Sequence, residues 1–178
     1  YDLTKKKSKK IKVLSSIKEF VNNSELIFIA VPTPHQKKYD GRYPTSHLPN
    51  KDFDYSIVKK VLKETNKYLN KSKILVLIST VLPGTVRREL IDNVTNSDFF
   101  YNPYLIAMGT VAWDFMNPEM LMIGNKNGKK CSKTKKLINF YKGLISNKPN
   151  LVIGTWDECE CIKIFYNTFI SAKLSLVN

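Results

Sequence analysis

Two neighbouring hydroxyl side chains, Ser79 and Thr80, follow an apolar run of strand length. Open α/β sheets bind their ligands at the carboxyl ends of such buried parallel strands. A Pro-Gly turn comes next, and Thr85 is placed to cap a helix, so we expect free backbone N–H groups beside the hydroxyls. This arrangement predicts an anion-binding site. The alternative is that the hydroxyls only end a strand and that the Pro-Gly pair is only a turn.

Apolar runs and amphipathic stretches alternate around this segment. Strands are predicted over residues 26–31, 74–78, 98–101, 120–123 and 151–153. Helices are predicted after Ser16, which forms a capping box with Glu19, from Asp54 to about Leu69, over 86–94, around 137–145, and from about Asp157 onward. This order predicts an α/β fold with a parallel sheet. The last helix is apolar on nearly all sides, so it needs burial in a dimer or against a further domain.

Composition limits the function. The net charge of +14 would suit nucleic acid, an anionic membrane or acidic small molecules, but the excess is mostly lysine spread over solvated helix faces. No aromatic residues interleave with the Lys-rich residues 3–13, as nucleic-acid binding would require, and no run is long enough to span a membrane. We therefore expect neither partner. The odd set Cys131, Cys159 and Cys161 has no framework or zinc spacing, which predicts a reducing, cytoplasmic location and no metal site.

Four groups of residues occur in an order and at spacings that resemble a known family. They are the run Leu-Ile-Phe-Ile-Ala-Val-Pro-Thr-Pro at 26–34, Ser-Thr-Val-Leu-Pro-Gly-Thr at 79–85, Asn102-Pro103 with Gly109, Asp114, Pro118 and Gly124, and Glu160 with Lys163, Asn167 and Lys173. Together they resemble the UDP-glucose/GDP-mannose dehydrogenase family of nucleotide-sugar 6-dehydrogenases. The resemblance implies a partial NAD-binding, Rossmann-like parallel sheet with flanking helices over residues 1–155. It implies the start of a long central dimerisation helix over 156–178.

The motif G-x-G-x-x-G does not occur in the chain. A dinucleotide-binding sheet would therefore have its first strand and phosphate loop upstream of Tyr1, so we expect an internal fragment. Asp2 resembles the acidic end of the following strand, where the carboxylate would accept the ribose hydroxyls of NAD.

The resemblance also implies roles for the quoted residues. The cofactor cleft would be lined by Val31, Pro32, Thr33, Pro34, Ser79, Thr80 and Val81, and Thr80 would hold the hydrolytic water or the nicotinamide side of NAD. Lys163 and Asn167 lie four residues apart on one helix face and would form the oxyanion and substrate-orienting pair. The alternative for Lys163 is a solvent-exposed lysine above a polar helix residue.

The family reaction oxidises the C6 hydroxyl of a nucleotide sugar to a carboxylate with two NAD, through a cysteine thiohemiacetal and thioester. That cysteine lies in a domain beyond this chain, so we expect no turnover by residues 1–178 alone. Tyr104, Leu105 and Met108 are implied substrate contacts, but Tyr104 and Met108 replace family carboxylates. A phenol with a pKa of about 10 is a poor base at neutral pH. The alternative function is a non-catalytic basic binding or dimerisation module.

Overall fold

A five-stranded sheet organises residues 11–177, which are the residues that the computed structural model describes. The strands lie side by side in chain order. They are β1 (Leu26–Ile29), β2 (Ile74–Leu77), β3 (Asp98–Tyr101), β4 (Met120–Asn125) and β5 (Asn150–Thr155). The α-helices are α1 (Ile17–Asn22), α2 (Ser56–Asn66), α3 (Val111–Met116), α4 (Ser132–Lys142) and α5 (Trp156–Val177). Shorter helical segments cover Lys37–Tyr39, Val86–Leu90 and Ile91–Asn93.

The sheet is mixed, which corrects the expectation of a wholly parallel one. β1, β2 and β3 are parallel neighbours, and β4 is parallel to β5. β3 and β4 run antiparallel and share the pair Tyr101–Gly124. A parallel connection needs a crossover that returns the chain along the whole strand. α3 has six residues and spans only about 9 Å, so the chain does not return along β3. β4 begins beyond the end of β3 and runs back toward it, and it reaches Tyr101 only at Gly124.

Asn102 joins the two halves of the sheet immediately after β3. Its side chain is fully buried, and its Nδ2 donates to the Met122 carbonyl of β4 at 2.5 Å. The Tyr141 hydroxyl of α4 donates to Asn102 Oδ1. Because both polar ends of this buried amide are satisfied, Asn102 continues the pairing of β3 with β4 where the backbone ladder stops.

Apolar side chains cover both faces of the sheet. β2 is buried at every position, and its successive side chains point to opposite faces. Leu75 and Leu77 pack with residues of α2, of the segment after β2 and of α5. Ile74 and Val76 pack in a second cluster, with residues of β3, β4 and α4. The α/β class, with helices flanking a Rossmann-type sheet, is confirmed.

The helix ends differ in part from their sequence signals. Ser16 caps α1 as predicted, because its hydroxyl accepts from the Glu19 N–H. Asp54 accepts from the Ser56 N–H, but α2 ends at Asn66, earlier than predicted. Thr85 is wrong as a cap, since its own backbone is helical and its side chain makes no capping bond.

The segment that follows Thr85 also differs from the regular helix predicted over 86–94. It is a π-helical turn over Val86–Leu90, followed by a 3₁₀ turn over Ile91–Asn93. Amphipathic spacing of apolar residues cannot distinguish these forms from an α-helix, because all of them bury one side of the segment.

α5 changes character along its length. Its first half is packed on the sheet, with Trp156, Cys159, Glu160 and Lys163 buried. From Phe165 onward it exposes large apolar side chains, namely Phe165, Phe169, Ile170, Leu174, Leu176 and Val177. Within residues 11–177, none of the helices combines the length and apolarity needed to cross a membrane. The helix begins where the domain boundary was predicted, but the division into domains and the dimerisation role stay predictions.

Candidate functional site

The carboxyl ends of β1 and β2 are locked together by side chains. The Ser79 hydroxyl accepts from the Val31 N–H at 2.9 Å and donates to the Val31 carbonyl at 2.6 Å. Thr33 Oγ1 donates to the Thr80 carbonyl at 2.7 Å. The structure thus brings together the two segments that were predicted to line a cofactor cleft. Pro32 and Pro34 are exposed on this edge, whereas Val81 is buried.

The two adjacent hydroxyls at the end of β2 have different surroundings. The Ser79 hydroxyl donates one bond and accepts one within the protein, so it shapes the edge and has no O–H donor left for a ligand. Thr80 is half-buried, and no described residue is hydrogen-bonded to its side-chain oxygen. Of the two, Thr80 is the one whose hydroxyl can meet a bound molecule.

The expected anion site beside these hydroxyls is already filled by the protein. Glu160 of α5 places Oε2 2.5 Å from the Gly84 nitrogen and Oε1 2.7 Å from the Val86 nitrogen. Gly84 has a positive φ of 81°, which a residue without a side chain adopts at no steric cost. The prediction of free N–H groups is therefore wrong at this turn, because a carboxylate distant in sequence accepts from both.

One tyrosine hydroxyl, that of Tyr55, binds two further donors of the same turn. Tyr55 accepts from the Leu82 N–H at 3.1 Å and from Thr85 Oγ1 at 3.3 Å, and it donates to Asp52 at 2.5 Å. Burial raises the pKa of Tyr55 to about 12, so this phenol stays neutral. The turn after β2 is held from two sides, by the segment before α2 and by α5.

Lys163 and Asn167 leave the same face of α5 but reach different surroundings. Lys163 is only 7% exposed, and its Nζ donates to the Tyr104 carbonyl at 2.6 Å. Burial lowers the pKa of Lys163 from its ordinary value. The solvent-exposed alternative for this lysine is therefore wrong. Asn167 is exposed and faces a cleft.

This cleft, of about 640 Å³, opens between α5 and the connection from β3 to β4. Its lining includes Leu105 and Asn167 of the predicted substrate contacts, but not Tyr104, Met108 or Lys163. Polar and aromatic groups that the sequence reasoning had given no role also line it, namely Thr110, Trp113, Asp114, Asn117, Glu119 and Tyr166.

Two carboxylates shape the cleft. Asp114 accepts from the Ala107 N–H at 2.8 Å and from Thr110 Oγ1 at 2.7 Å, which folds the connection onto α3 and lowers the pKa of Asp114. Glu119 accepts from the Tyr166 hydroxyl at 2.7 Å. The position of Asp114 in the motif Gly109, Asp114, Pro118 and Gly124 indicated that it could have a function, whereas nothing in the local sequence singles out Glu119.

Tyr104 is directed into the protein core, although its position suggested a substrate contact. Its ring stacks on Phe115, with centroids 5.0 Å apart and planes at 14°, and it lies 5.9 Å from the ring of Tyr141. Its buried hydroxyl has no hydrogen-bond partner among the described residues, and burial raises its pKa to about 12. Met108 is 95% exposed. Neither side chain can serve as a base.

Comparison with known proteins shows the family of the chain. The sequence pattern of the "UDP-glucose/GDP-mannose dehydrogenase family, NAD binding domain" matches residues 2–145. The chain belongs to this family. Its matched region is an NAD-binding domain, so the cofactor of the fold is NAD. As a family member, the chain has the features of an oxidoreductase domain, and the resemblance stated from its motifs is confirmed.

Individual relatives agree with the family. An uncharacterized protein of Methanocaldococcus jannaschii is 31% identical over 160 residues, which are 89% of this chain and 17% of that protein. A UDP-glucose 6-dehydrogenase of Rickettsia bellii is 26% identical over 173 residues, or 95% of this chain and 36% of the enzyme. A crystal structure of GDP-mannose dehydrogenase from Pseudomonas aeruginosa shares the fold, with a TM-score of 0.72 and 23% identity over 92% of this chain and 36% of that one.

The chain therefore spans about a third or less of the length of these relatives. The edge formed by β1 and β2 suits a dinucleotide, because polar backbone and the Thr80 hydroxyl gather at the carboxyl ends of parallel strands. Asp2, the predicted ribose-binding carboxylate, lies outside the described residues.

Proposed function

We propose that the protein containing this chain is an NAD-dependent nucleotide-sugar 6-dehydrogenase, which oxidises the C6 alcohol of a UDP- or GDP-hexose to the uronate in two hydride-transfer steps. The observation that carries this proposal is the position of α5. It contacts the end of β2 through Glu160 and the end of β3 through Lys163, and it presents Asn167 to the cleft. One helix thus connects the cofactor edge to a cavity large enough for a sugar.

The cofactor edge would hold NAD through the backbone of Val31 to Pro34 and through Thr80, with Ser79 keeping the two strand ends together. NAD supplies the hydride acceptor for each oxidation step. Thr80 can orient a water or the nicotinamide side, since its hydroxyl is not bound by a described residue. We assign the cleft beside Asn167 to the sugar and the strand ends to the cofactor.

Lys163 is suited to stabilise negative charge on the reacting oxygen. Its ammonium is buried and binds one carbonyl, that of Tyr104. Lys163 does not line the cleft, but no described residue binds its two other N–H donors. A fixed cation in a site that excludes water stabilises a developing oxyanion more than water does. Asn167 would orient the sugar with its amide.

Tyr104 replaces a carboxylate of the family, so a carboxylate base must come from another position in the chain. Among the described residues, Asp114 and Glu119 are the carboxylates that line the cleft. Asp114 already accepts hydrogen bonds from the Ala107 N–H and the Thr110 hydroxyl, whereas Glu119 accepts one hydrogen bond, from Tyr166. Glu119 is therefore the group that we propose to accept the proton of the C6 alcohol.

The test uses the full-length protein with UDP-glucose, UDP-N-acetylhexosamines and GDP-mannose as substrates, and absorbance measures the NADH that is formed. We expect two NADH per sugar oxidised with one of them, and a large loss of kcat in Lys163→Met. Residues 1–178 alone should give no turnover. If none of these nucleotide sugars produces NADH, the enzymatic proposal is wrong.

The loss of family carboxylates at Tyr104 and Met108 favours one other function, a basic binding or dimerisation module without catalysis. Such a module would bind a polyanion with an affinity that falls steeply as salt rises, and it would form no NADH. Salt-dependent binding of a nucleic acid, without any oxidation, would favour this alternative.

We further propose a homodimer through α5, which exposes Phe165 and Phe169 at 69% and 66%. Sedimentation of the full-length protein should show a dimer that Phe165→Asp with Phe169→Asp converts to monomers. We place the protein in the cytoplasm, because its three cysteines are free in the described structure.

A further inference from the structure

Glu160 is a buried carboxylate that does not face the cleft. No part of it is exposed to solvent. Its two oxygens accept separately from the Gly84 and Val86 N–H groups at 2.5 and 2.7 Å. Charge-assisted bonds of this kind are about twice as strong as neutral ones, and two of them fix the orientation of the turn as well as its distance from α5.

Lys163 makes the equivalent contact to the next strand. It follows Glu160 by three residues, so both side chains leave the same face of α5. Its Nζ bonds the Tyr104 carbonyl, just after β3. α5 is therefore fastened to the end of β2 by an acceptor and to the end of β3 by a donor.

We propose that Glu160 is a positioning residue of this site, which holds the turn after β2 against α5 and so keeps Thr80 in register with Lys163 and Asn167. The inference deepens the proposed function and rests on it, because the register matters only if these residues act on one substrate. Glu160 acts through the turn and touches neither substrate nor cofactor.

The charge of Glu160 lowers the folding stability while its two oxygens hold the turn. Burial raises the pKa of Glu160 to about 7, although the two N–H bonds oppose the shift. The pKa in the unfolded chain is lower, so ionising the buried group between about pH 4.5 and 7 reduces stability. The ionised form instead supplies two acceptor oxygens for the turn, and protonation turns one of them into a donor.

The charged and titratable groups around Glu160 come from several elements. Asp157 on α5 raises its pKa, and Arg88 beside the turn lowers it. The other groups within electrostatic reach are Arg87 beside the turn, Tyr101 on β3 and Cys159 on α5. Tyr101 and Cys159 are neutral near pH 7, since burial raises the pKa of both. A pH dependence near 7 would therefore come from Glu160 itself.

The first experiment compares Glu160→Gln with the wild-type full-length enzyme. Glutamine keeps one acceptor and puts an NH₂ group against the second N–H donor. We expect the KM for NAD to rise, because a turn held by one bond fewer leaves its closed position for a larger fraction of the time. In the wild type this KM should rise as the pH falls below about 7, whereas in Glu160→Gln it should not depend on pH over that range.

Glu158→Gln is the matched control, because it removes a carboxylate two residues away that binds only Thr155 at the start of the same helix. We expect wild-type kinetics from it. If Glu160→Gln does not fold, Glu160→Asp keeps the charge and shortens the reach, and it should raise the same KM.

The second experiment does not depend on activity. Amide hydrogen exchange at Gly84 and Val86 should be at least tenfold faster in Glu160→Gln than in the wild type, and unchanged in Glu158→Gln. Unchanged exchange at both amides would overturn the proposal, as would wild-type kinetics at every pH in an active Glu160→Gln enzyme. If the wild type forms no NADH, the proposed function fails, and the exchange rates still decide whether Glu160 holds the turn.

Discussion

The hydroxyl of Ser79 offers the sharpest test of how the cofactor edge is built. It satisfies both the N–H and the carbonyl of Val31, beyond the last paired residues of β1 and β2. In Ser79→Ala both bonds disappear, and the side chain that replaces the hydroxyl can neither donate nor accept. Val31 is half-buried, so water replaces the lost partners only in part.

The size of the effect follows from these two bonds. Each intramolecular hydrogen bond contributes about 0.5–1.5 kcal/mol, so the pair contributes about 1–3 kcal/mol to the closed edge. Since about 1.4 kcal/mol corresponds to a factor of ten, the opening equilibrium at Val31 should increase about 5- to 150-fold. The remainder of the sheet should be little affected, because its ladder bonds are intact.

The assay is native-state amide exchange of the full-length protein, which reports the local opening of Val31 separately from global unfolding. Ser97→Ala is the control. It removes the bond from Ser97 Oγ to the Lys73 carbonyl at 2.7 Å and a longer one to the Asp98 carbonyl at 3.4 Å, both at the opposite end of the strands. It should leave the exchange of Val31 unchanged.

We also expect Ser79→Ala to weaken NAD binding, because the edge that should contact the cofactor would be open for a larger fraction of the time. Exchange at Val31 within twofold of the wild type would refute this account of the edge. A similar increase in Ser97→Ala would show that the effect is global and not local to the edge.

Three further predictions follow from the burial of single groups. Tyr141→Phe leaves the buried Oδ1 of Asn102 without its donor and should destabilise the protein by about 1–3 kcal/mol, measured by denaturant unfolding; an unchanged midpoint would contradict it. Iodoacetamide should modify exposed Cys131 before Cys159, whose burial raises the thiol pKa to about 12. Mass spectrometry after brief labelling measures the order, and earlier modification of Cys159 would contradict the prediction. Because burial lowers the pKa of Lys163, its ionisation opposes folding below that pKa. The stability of the wild type relative to Lys163→Met should therefore increase as the pH rises toward about 10.5, and a difference independent of pH would argue against a buried ammonium.

Local sequence determined much of the scaffold. The apolar runs predicted all five strands, and β3 was predicted at its observed limits, Asp98–Tyr101. The hydroxyls of Ser79 and Thr80 were placed correctly at the end of β2, because a buried strand that stops at polar residues has few other interpretations. The ordered motifs identified the family, which the match over residues 2–145 confirms.

Contacts between distant residues decided what these groups can do. The sequence suggested open N–H donors after β2, but Glu160, more than seventy residues further on, accepts from them. The short α3 turned β4 antiparallel to β3, and the aromatic pocket of Phe115 and Tyr141 drew Tyr104 into the core. A sequence pattern states which groups end each strand, whereas their partners depend on which elements pack together, and that is set by tertiary structure.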